Sequence, residues 1–339
     1  MLVNDETTAT ATVDVTPAPA RPSRSWLLIG ERYGLVVILL ATVVLFQFLD
    51  PQTFMTVANW KAIGLAQSIT AILGMAVMLP LIGGNFDLSI GANSIMCSMV
   101  CAAAMSRYHW PLAFAVIVPI AVGTAIGAFN GLLVTAARLN GLIATVGTAT
   151  VLQALVIWYS HDLPIATGIS SSFTDFGVGD TIGIPYLAIV AVVAAVLVHY
   201  LLTQTPFGRR LVAIGSNQSA ARLVGIRVDR LTVGSYGIAG ALAGLAGVLT
   251  VAHQGSADPS TDGITILISA LTIVFLGAAT FRPGEFTVPG MFVALVLTAV
   301  LVSGLTLKGV ASWVSPLCYG LALIVGVGVS AYFHARRVG

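Results

Sequence analysis

The stretch TPFGRRLVAIGSNQSAARLVGIRVDR, residues 205–230, contains Arg209, Arg210, Arg222, Arg227 and Arg230, five of the fifteen basic residues in a 339-residue chain that is only 8% charged. Around it the chain is 57% hydrophobic, with a mean hydropathy of +0.98. That apolarity exceeds what a water-soluble chain of this length carries, and the charge is too sparse to coat a globular surface. The sequence therefore reads as an all-α, polytopic membrane protein with lipid as its surroundings. A net charge of +2 offers no concentrated basic face for nucleic acid. Cys97, Cys101 and Cys318 have no metal-ligand spacing and sit in apolar runs, so they read as small core residues.

A bilayer core of about 30 Å needs about 20 apolar residues per helix, fewer where a helix is broken. Ten segments qualify, near 27–49, 63–82, 88–106, 111–137, 141–159, 184–202, 231–253, 264–280, 288–307 and 313–333. Residues 1–25, rich in Thr, Ala and Pro without apolar period, read as a disordered tail. The run from Trp26 to Leu49 exceeds the about 7–15 residues of a signal-peptide core and reads as a retained span. A membrane domain over 26–335 follows, with a loop at 203–230. Placing the N-terminus in the cytoplasm puts Arg21, Arg24, Arg32, Arg138, Arg209, Arg210, Arg222, Arg227, Arg230, Arg282, Arg336 and Arg337 inside, against Lys61, Arg107 and Lys308 outside. This positive-inside bias calls for an even number of spans with both termini cytoplasmic. The segment from Ser160 to Gly183 carries Asp162, Asp175 and Asp180 and no Lys or Arg, and belongs outside.

An arginine at a helix centre costs about 2.5–3.5 kcal/mol on the insertion scale, so residues 205–230 cannot span. They form the cytoplasmic loop. Within it Ser216 or Asn217 can cap a helix through QSAARLV, and Gly225 supplies a left-handed stop. A helix of two turns is too short to stand alone in water, so something must hold it. Two readings stand: an anchor loop that only sets topology, or a docking helix for a cytoplasmic partner. In the docking reading Ala220, Ala221 and Leu223 are the apolar contacts and Arg222 a charged anchor.

TPFGRRLVAIGSNQSAARLVGIRVDRL resembles the cytoplasmic coupling segment of permease subunits of ribose-type ATP-binding-cassette (ABC) sugar importers. GGNFDLSIGA (83–92) and NGLLVTAARLNGLIATVGT (130–148) resemble two further signatures of that family, in the same order. The likeness spans about residues 35–333, and its departures lie in the C-terminal third, where the Gly-rich turn is replaced by GAATFRPGEFTVPG. The resemblance implies the permease subunit of an importer in the bacterial plasma (inner) membrane, carrying a small hydrophilic substrate, a monosaccharide above all. It also implies the partners: a cytoplasmic ATPase holding ATP and Mg, a periplasmic or lipid-anchored substrate-binding protein, and a second permease subunit, identical or related. The chain itself would hold no cofactor and no metal.

The residues agree with a transport subunit. A P-loop needs Gly-Lys-Ser/Thr, and the only lysines, Lys61 and Lys308, follow Trp60 and Leu307. None of the five histidines lies in an H-E-x-x-H site, and Asp258 with Asp262 falls in an outer loop without metal-ligand company, so no catalytic residue emerges. An ion- or proton-coupled secondary transporter would share the polar midplane residues but has no need of a capped cytoplasmic helix. Asp87, between two apolar runs, either caps the third span together with Ser89 or acts in gating and passage. Gln67, Asn93, Asn130 and Gln153 are neutral amides that a hydrophilic cargo could meet; each alone also fits an interhelical hydrogen bond. Gly123, Gly127 and Gly131, and Gly240 with Gly244, are ridges for close helix packing.

With both termini and residues 203–230 inside, a cysteine at Ser219, in a background lacking the native cysteines, is expected to resist an impermeant reagent applied outside intact cells. Labelling from outside overturns the topology.

Overall fold

The computed structural model describes the backbone over residues 25–311 and 313–338. The tail expected over residues 1–25 lies outside the described residues up to position 24, as do the side chains of Arg21, Arg24, Arg32, Arg336 and Arg337. Among the described residues the chain forms thirteen helices. They are α1 Ser25–Leu49, α2 Val57–Ile82, α3 Ile90–Ser106, α4 Leu112–Thr135, α5 Gly141–Ser160, α6 Ser171–Val178, α7 Tyr186–Gln204, α8 Pro206–Ser216, α9 Gln218–Leu223, α10 Val228–Gln254, α11 Gly263–Gly277, α12 Val288–Leu307 and α13 Val314–Val338. A two-stranded antiparallel hairpin, β1 Asp180–Thr181 and β2 Ile184–Pro185, precedes α7.

Each of the ten apolar segments coincides with one helix: α1–α5, α7 and α10–α13. Among the described residues, six of these, α2, α4, α5, α7, α10 and α12, are long and apolar enough to cross a membrane, and the described side chains of the other four cover apolar stretches at Tyr33–Leu49, Ile90–Ser106, Gly263–Gly277 and Val314–Val325. Helix starts follow local chemistry. Thr56, Asn140, Thr205, Asp262 and Thr287 each turn a side-chain oxygen to a first-turn amide, and Pro206 and Pro289 occupy first-turn positions where no amide partner is needed.

The centre of the molecule is α2 and α10, whose most apolar 18-residue windows are 67% and 72% buried, against 22–28% for α4, α5 and α7. Apolar residues surround α2 on every side from Ala71 to Leu81, the pattern of a helix enclosed by others. The hydrophobic effect supplies little drive between helices in lipid, so close van der Waals approach must do the work. Glycines provide it where α4 crosses α10: a Cβ added at Gly123, Gly127 or Gly131 would run into the backbone of Gly240, Tyr236 or Val233. The expected glycine ridges are this contact. Cys97 and Cys101 are buried and Cys318 half-buried, none of them in a disulfide, and no metal-holding cluster occurs among the described residues.

At the end of the bundle opposite α8 and α9, the three cations that depart from the charge bias all have partners. Lys61 pairs with Asp180, Lys308 lies 4.0 Å from Asp50, and the Arg107 guanidinium sits 4.6 Å above the Tyr159 ring. Hydrogen bonds from Lys61 and the Gly183 amide hold the Asp180 carboxyl below the usual carboxylate range. A lowered folded-state value means that this tie contributes fully above the ordinary range and is lost as pH falls through the lowered one.

Gly127→Val places a branched side chain inside the Tyr236 carbonyl and should destabilise the protein by about 1–3 kcal/mol or more, the scale of overpacking. Gly147→Ala meets nothing within 4 Å and should leave stability unchanged or raise it by up to about 1 kcal/mol. Thermal unfolding in detergent distinguishes the two; equal effects would remove the glycine contact as the reason α4 and α10 pack so closely.

Candidate functional site

The segment expected as a loop with one short helix folds as two helices. Thr205 caps α8 and Pro206 begins it, while Leu211 and Ile214 turn inward and Arg209 and Arg210 outward, so the pattern is amphipathic and the helix lies against the bundle end. Ser216 belongs to α8, where its hydroxyl donates to the Val212 carbonyl at 3.0 Å. It is therefore not the cap of the next helix. Asn217 is: its Oδ1 accepts from the Ala220 amide at 2.9 Å. Gly225 ends the turn at φ +81°, with no neighbour within 4 Å of an added Cβ, so conformation alone calls for glycine there.

The six residues of α9 are held by a small apolar seat. Ala221 is 4% exposed and packs with Ile214 and Val228, flanked by Ile226 and Leu231. This corrects the reading of Ala221 as an outward contact: a residue in the seat cannot also meet a partner. Arg222 is engaged as well, 2.9 Å from Asp229. Ala220 remains on the exposed side. The exposed apolar side chains are Leu223, at 88%, and Val224, at 76%, beside a shallow recess lined by Arg222, Arg227, Asp229 and Arg230.

A second group lies in the interior between Gly83 and α5. Asp87, Ser89, Asn93 and Asn130 are each at most 4% exposed. Asp87 Oδ1 accepts from the Ser89 amide at 2.9 Å and the Ser89 hydroxyl at 2.6 Å. The Ser89 hydroxyl accepts from Asn130 Nδ2 at 2.7 Å, and Asn130 Oδ1 accepts from the Thr148 hydroxyl at 2.7 Å. Asp87 thus holds the amide just ahead of α3. Ser89, the cap by position, makes no capping bond because its hydroxyl is taken by Asp87 and Asn130. Asn93 ties α3 to α4 through the Gly123 carbonyl at 3.2 Å, an interhelical bond.

Gln67 and Gln153 lie apart from this network. Gln67 on α2 reaches the Tyr319 hydroxyl on α13. Gln153 on α5 donates to the Pro259 carbonyl at 3.0 Å, and that contact locates a feature the sequence reading missed. Asp258 and Asp262 were expected in an outer loop. Ala257 pairs with Ile165 beyond the end of α5, yet Gly263 abuts Gly91, fifteen residues before the end of α3, about 22 Å along that helix. The segment re-enters the bundle, and α11 starts within it. Ser260, Asp262 and Thr265 are exposed there, with the Asp262 carboxylate accepting from the Ile264 amide and the Thr265 hydroxyl. The one local signal was DPSTDG before an apolar run only fifteen residues long.

The chain matches the family described as branched-chain amino acid transport system / permease component over residues 62–327. It is 32% identical to the ribose import permease protein RbsC of Bacillus subtilis (strain 168), covering 88% of this chain and 91% of that one. Identity to the D-allose transport system permease protein AlsC of Escherichia coli (strain K12) is 29%, over 90% and 93% of the two chains. The fructose import permease protein FrcC of Rhizobium meliloti is 30% identical over 79% of this chain and 76% of its own. No solved structure matches the chain.

Asn217→Ala should cost α9 about 0.5–2 kcal/mol by loss of its cap, whereas Ser216→Ala should stay within about 0.5 kcal/mol. Hydrogen exchange of the 218–224 amides reads the difference, and faster exchange in the Ser216 variant than in the Asn217 variant would reverse the assignment.

Proposed function

The chain belongs to the family of branched-chain amino acid transport system / permease components, within its sugar-import permeases, and from that membership we infer how its parts serve transport. It is a multi-pass membrane protein, the membrane-spanning permease subunit of an ABC importer, and not an enzyme. We propose a monosaccharide as the cargo, in keeping with the ribose, allose and fructose permeases it resembles.

Ten crossings over residues 26–335, with both termini in the cytoplasm of a bacterial inner membrane, fit the ten apolar helices and the gathering of arginines at the α8–α9 end. A separate ATPase, holding ATP and Mg, would seat against α9. The observation that carries this is a capped six-residue helix, fixed from beneath by Ala221, that turns Leu223 and Val224 outward among arginines. Adjacent aliphatic side chains exposed among arginines offer a partner an apolar contact with a charged rim. A secreted binding protein would deliver cargo at the opposite end, and a second permease subunit would face the exposed sides of α5 and α11.

Between the two permeases, Gln153 and the re-entrant residues Ser260, Asp262 and Thr265 supply hydroxyl, amide and carboxylate groups that can exchange hydrogen bonds with a sugar's hydroxyls. Carboxylate exposed at that depth calls for water beside it.

The test is Leu223→Asp combined with Val224→Asp in membranes containing the ATPase and the binding protein. Membrane insertion should be unchanged, while ATPase co-purification and ATP-driven monosaccharide uptake should both be lost. Full ATPase retention by the double variant would remove α9 as the contact, and gradient-driven uptake by this chain alone would favour a secondary transporter instead.

A further inference from the structure

The segment Gly83–Ser89 lies where the end of α8 meets the interior, and it touches four other helices. An added Cβ at Gly215, the next-to-last residue of α8, would run into the Ile82 carbonyl and lie 3.4 Å from the Gly84 amide. Gly84, at φ +77°, would in turn place a Cβ 3.5 Å from the Gly215 Cα. Backbone meets backbone here with no flexible side chain between, so a push of α8 toward the interior bears directly on the turn.

From that turn the chain runs on without helical bonds and is tied to three helices in succession. The Tyr236 hydroxyl on α10 donates to the Phe86 carbonyl at 2.9 Å, and the Leu88 amide donates to the Thr145 hydroxyl on α5 at 3.0 Å. Asp87 then holds Ser89, Ser89 holds Asn130 on α4, and Asn130 holds Thr148, again on α5. Two of the ties thus converge on the early turns of α5. That helix is among the least enclosed, with 22% of its most apolar window buried, whereas α10 is locked by its glycine contacts. A push that enters at Gly215 meets a rigid α10 and a less confined α5.

We propose that the hydrogen-bonded run from the buried Asp87, Ser89 and Asn130 to the half-buried Thr148 transmits movement of the α8–α9 seat to α5, so that Asp87 and Asn130 are positioning residues for transport. This rests on the reading of α9 as the ATPase contact. Asp87 acts as a hydrogen-bond acceptor for Ser89, and it takes part in none of the ion pairs among the described residues. Its function is therefore geometric. A neutral side chain with the same acceptor oxygen serves as well, which separates this role from proton coupling through the carboxylate.

The experiment uses the assembled complex of permease, ATPase and binding protein in vesicles, with ATP hydrolysis and substrate uptake measured on the same sample. Asn130→Ala, Asp87→Ala and the shape-conserving Thr148→Val should keep the ATPase bound and hydrolysing, while uptake per ATP falls by about tenfold or more, the factor expected when a buried partner loses its bond. Asp87→Asn, which retains the acceptor for Ser89, should keep near-normal uptake per ATP. The transmission role is overturned by unchanged uptake per ATP in Asn130→Ala and Thr148→Val. It is equally overturned if those variants lose the ATPase, which would make the network part of the fold, or if Asp87→Asn fails as fully as Asp87→Ala, which would make the charge the essential feature. Failure of the α9 reading shows separately, as ATPase retention by the Leu223 and Val224 double variant.

Discussion

Backbone that leaves helical geometry inside a membrane bundle has no water to turn to, and each unsatisfied amide or carbonyl there costs several kcal/mol. Between α2 and α3 the chain does this for seven residues, Gly83–Ser89. The Gly84 and Asn85 amides return to the carbonyls of Leu81 and Pro80, Phe86 accepts from Tyr236, Leu88 donates to Thr145, and Ser89 donates to Asp87. The polar residues buried around this segment are explained by that requirement. Asp87 is at that position because an amide needs an acceptor, and Asn130 because Ser89 and Thr148 need a group that both donates and accepts.

Close packing gives the molecule one stiff part and one looser part. Glycine contacts bring α4 and α10 within backbone distance, and α2 fills the remaining centre. Such contacts leave no slack, since any added carbon collides. Helices α5 and α7 present apolar faces outward and are held by fewer constraints. A transporter needs both properties: a fixed frame, and elements that can take two positions against it. At the basic end, a seat of Ala221, Ile214 and Val228 keeps a helix ordered that could not be stable alone.

Much of this was readable in the residues because it depends on local chemistry. Ten apolar runs became ten helices since span length and backbone satisfaction act on each run independently. The cap at Asn217 and the left-handed Gly225 were legible for the same reason: a side chain and an amide three residues apart need no third party. The glycine ridges on α4 and α10 announced a close approach, although which backbone they would meet was not written in either helix.

Composition and pattern alone thus determined a polytopic helical membrane protein, its charge asymmetry and the existence of a short capped helix at the basic end. Tertiary structure decided which way that helix faces: Ala221 points inward because Ile214 and Val228, on two other helices, close around it, and this leaves Leu223 and Val224 outside. It also decided that Asp87, Ser89, Asn130 and Thr148, spread over sixty residues of sequence, form one connected run. And it brought residues 258–263 into the bundle rather than over its surface. The depth of a loop is set by what holds it, here Gln153 on Pro259 and Gly91 against Gly263, and partners more than a hundred residues away leave no periodicity for a local pattern to reveal.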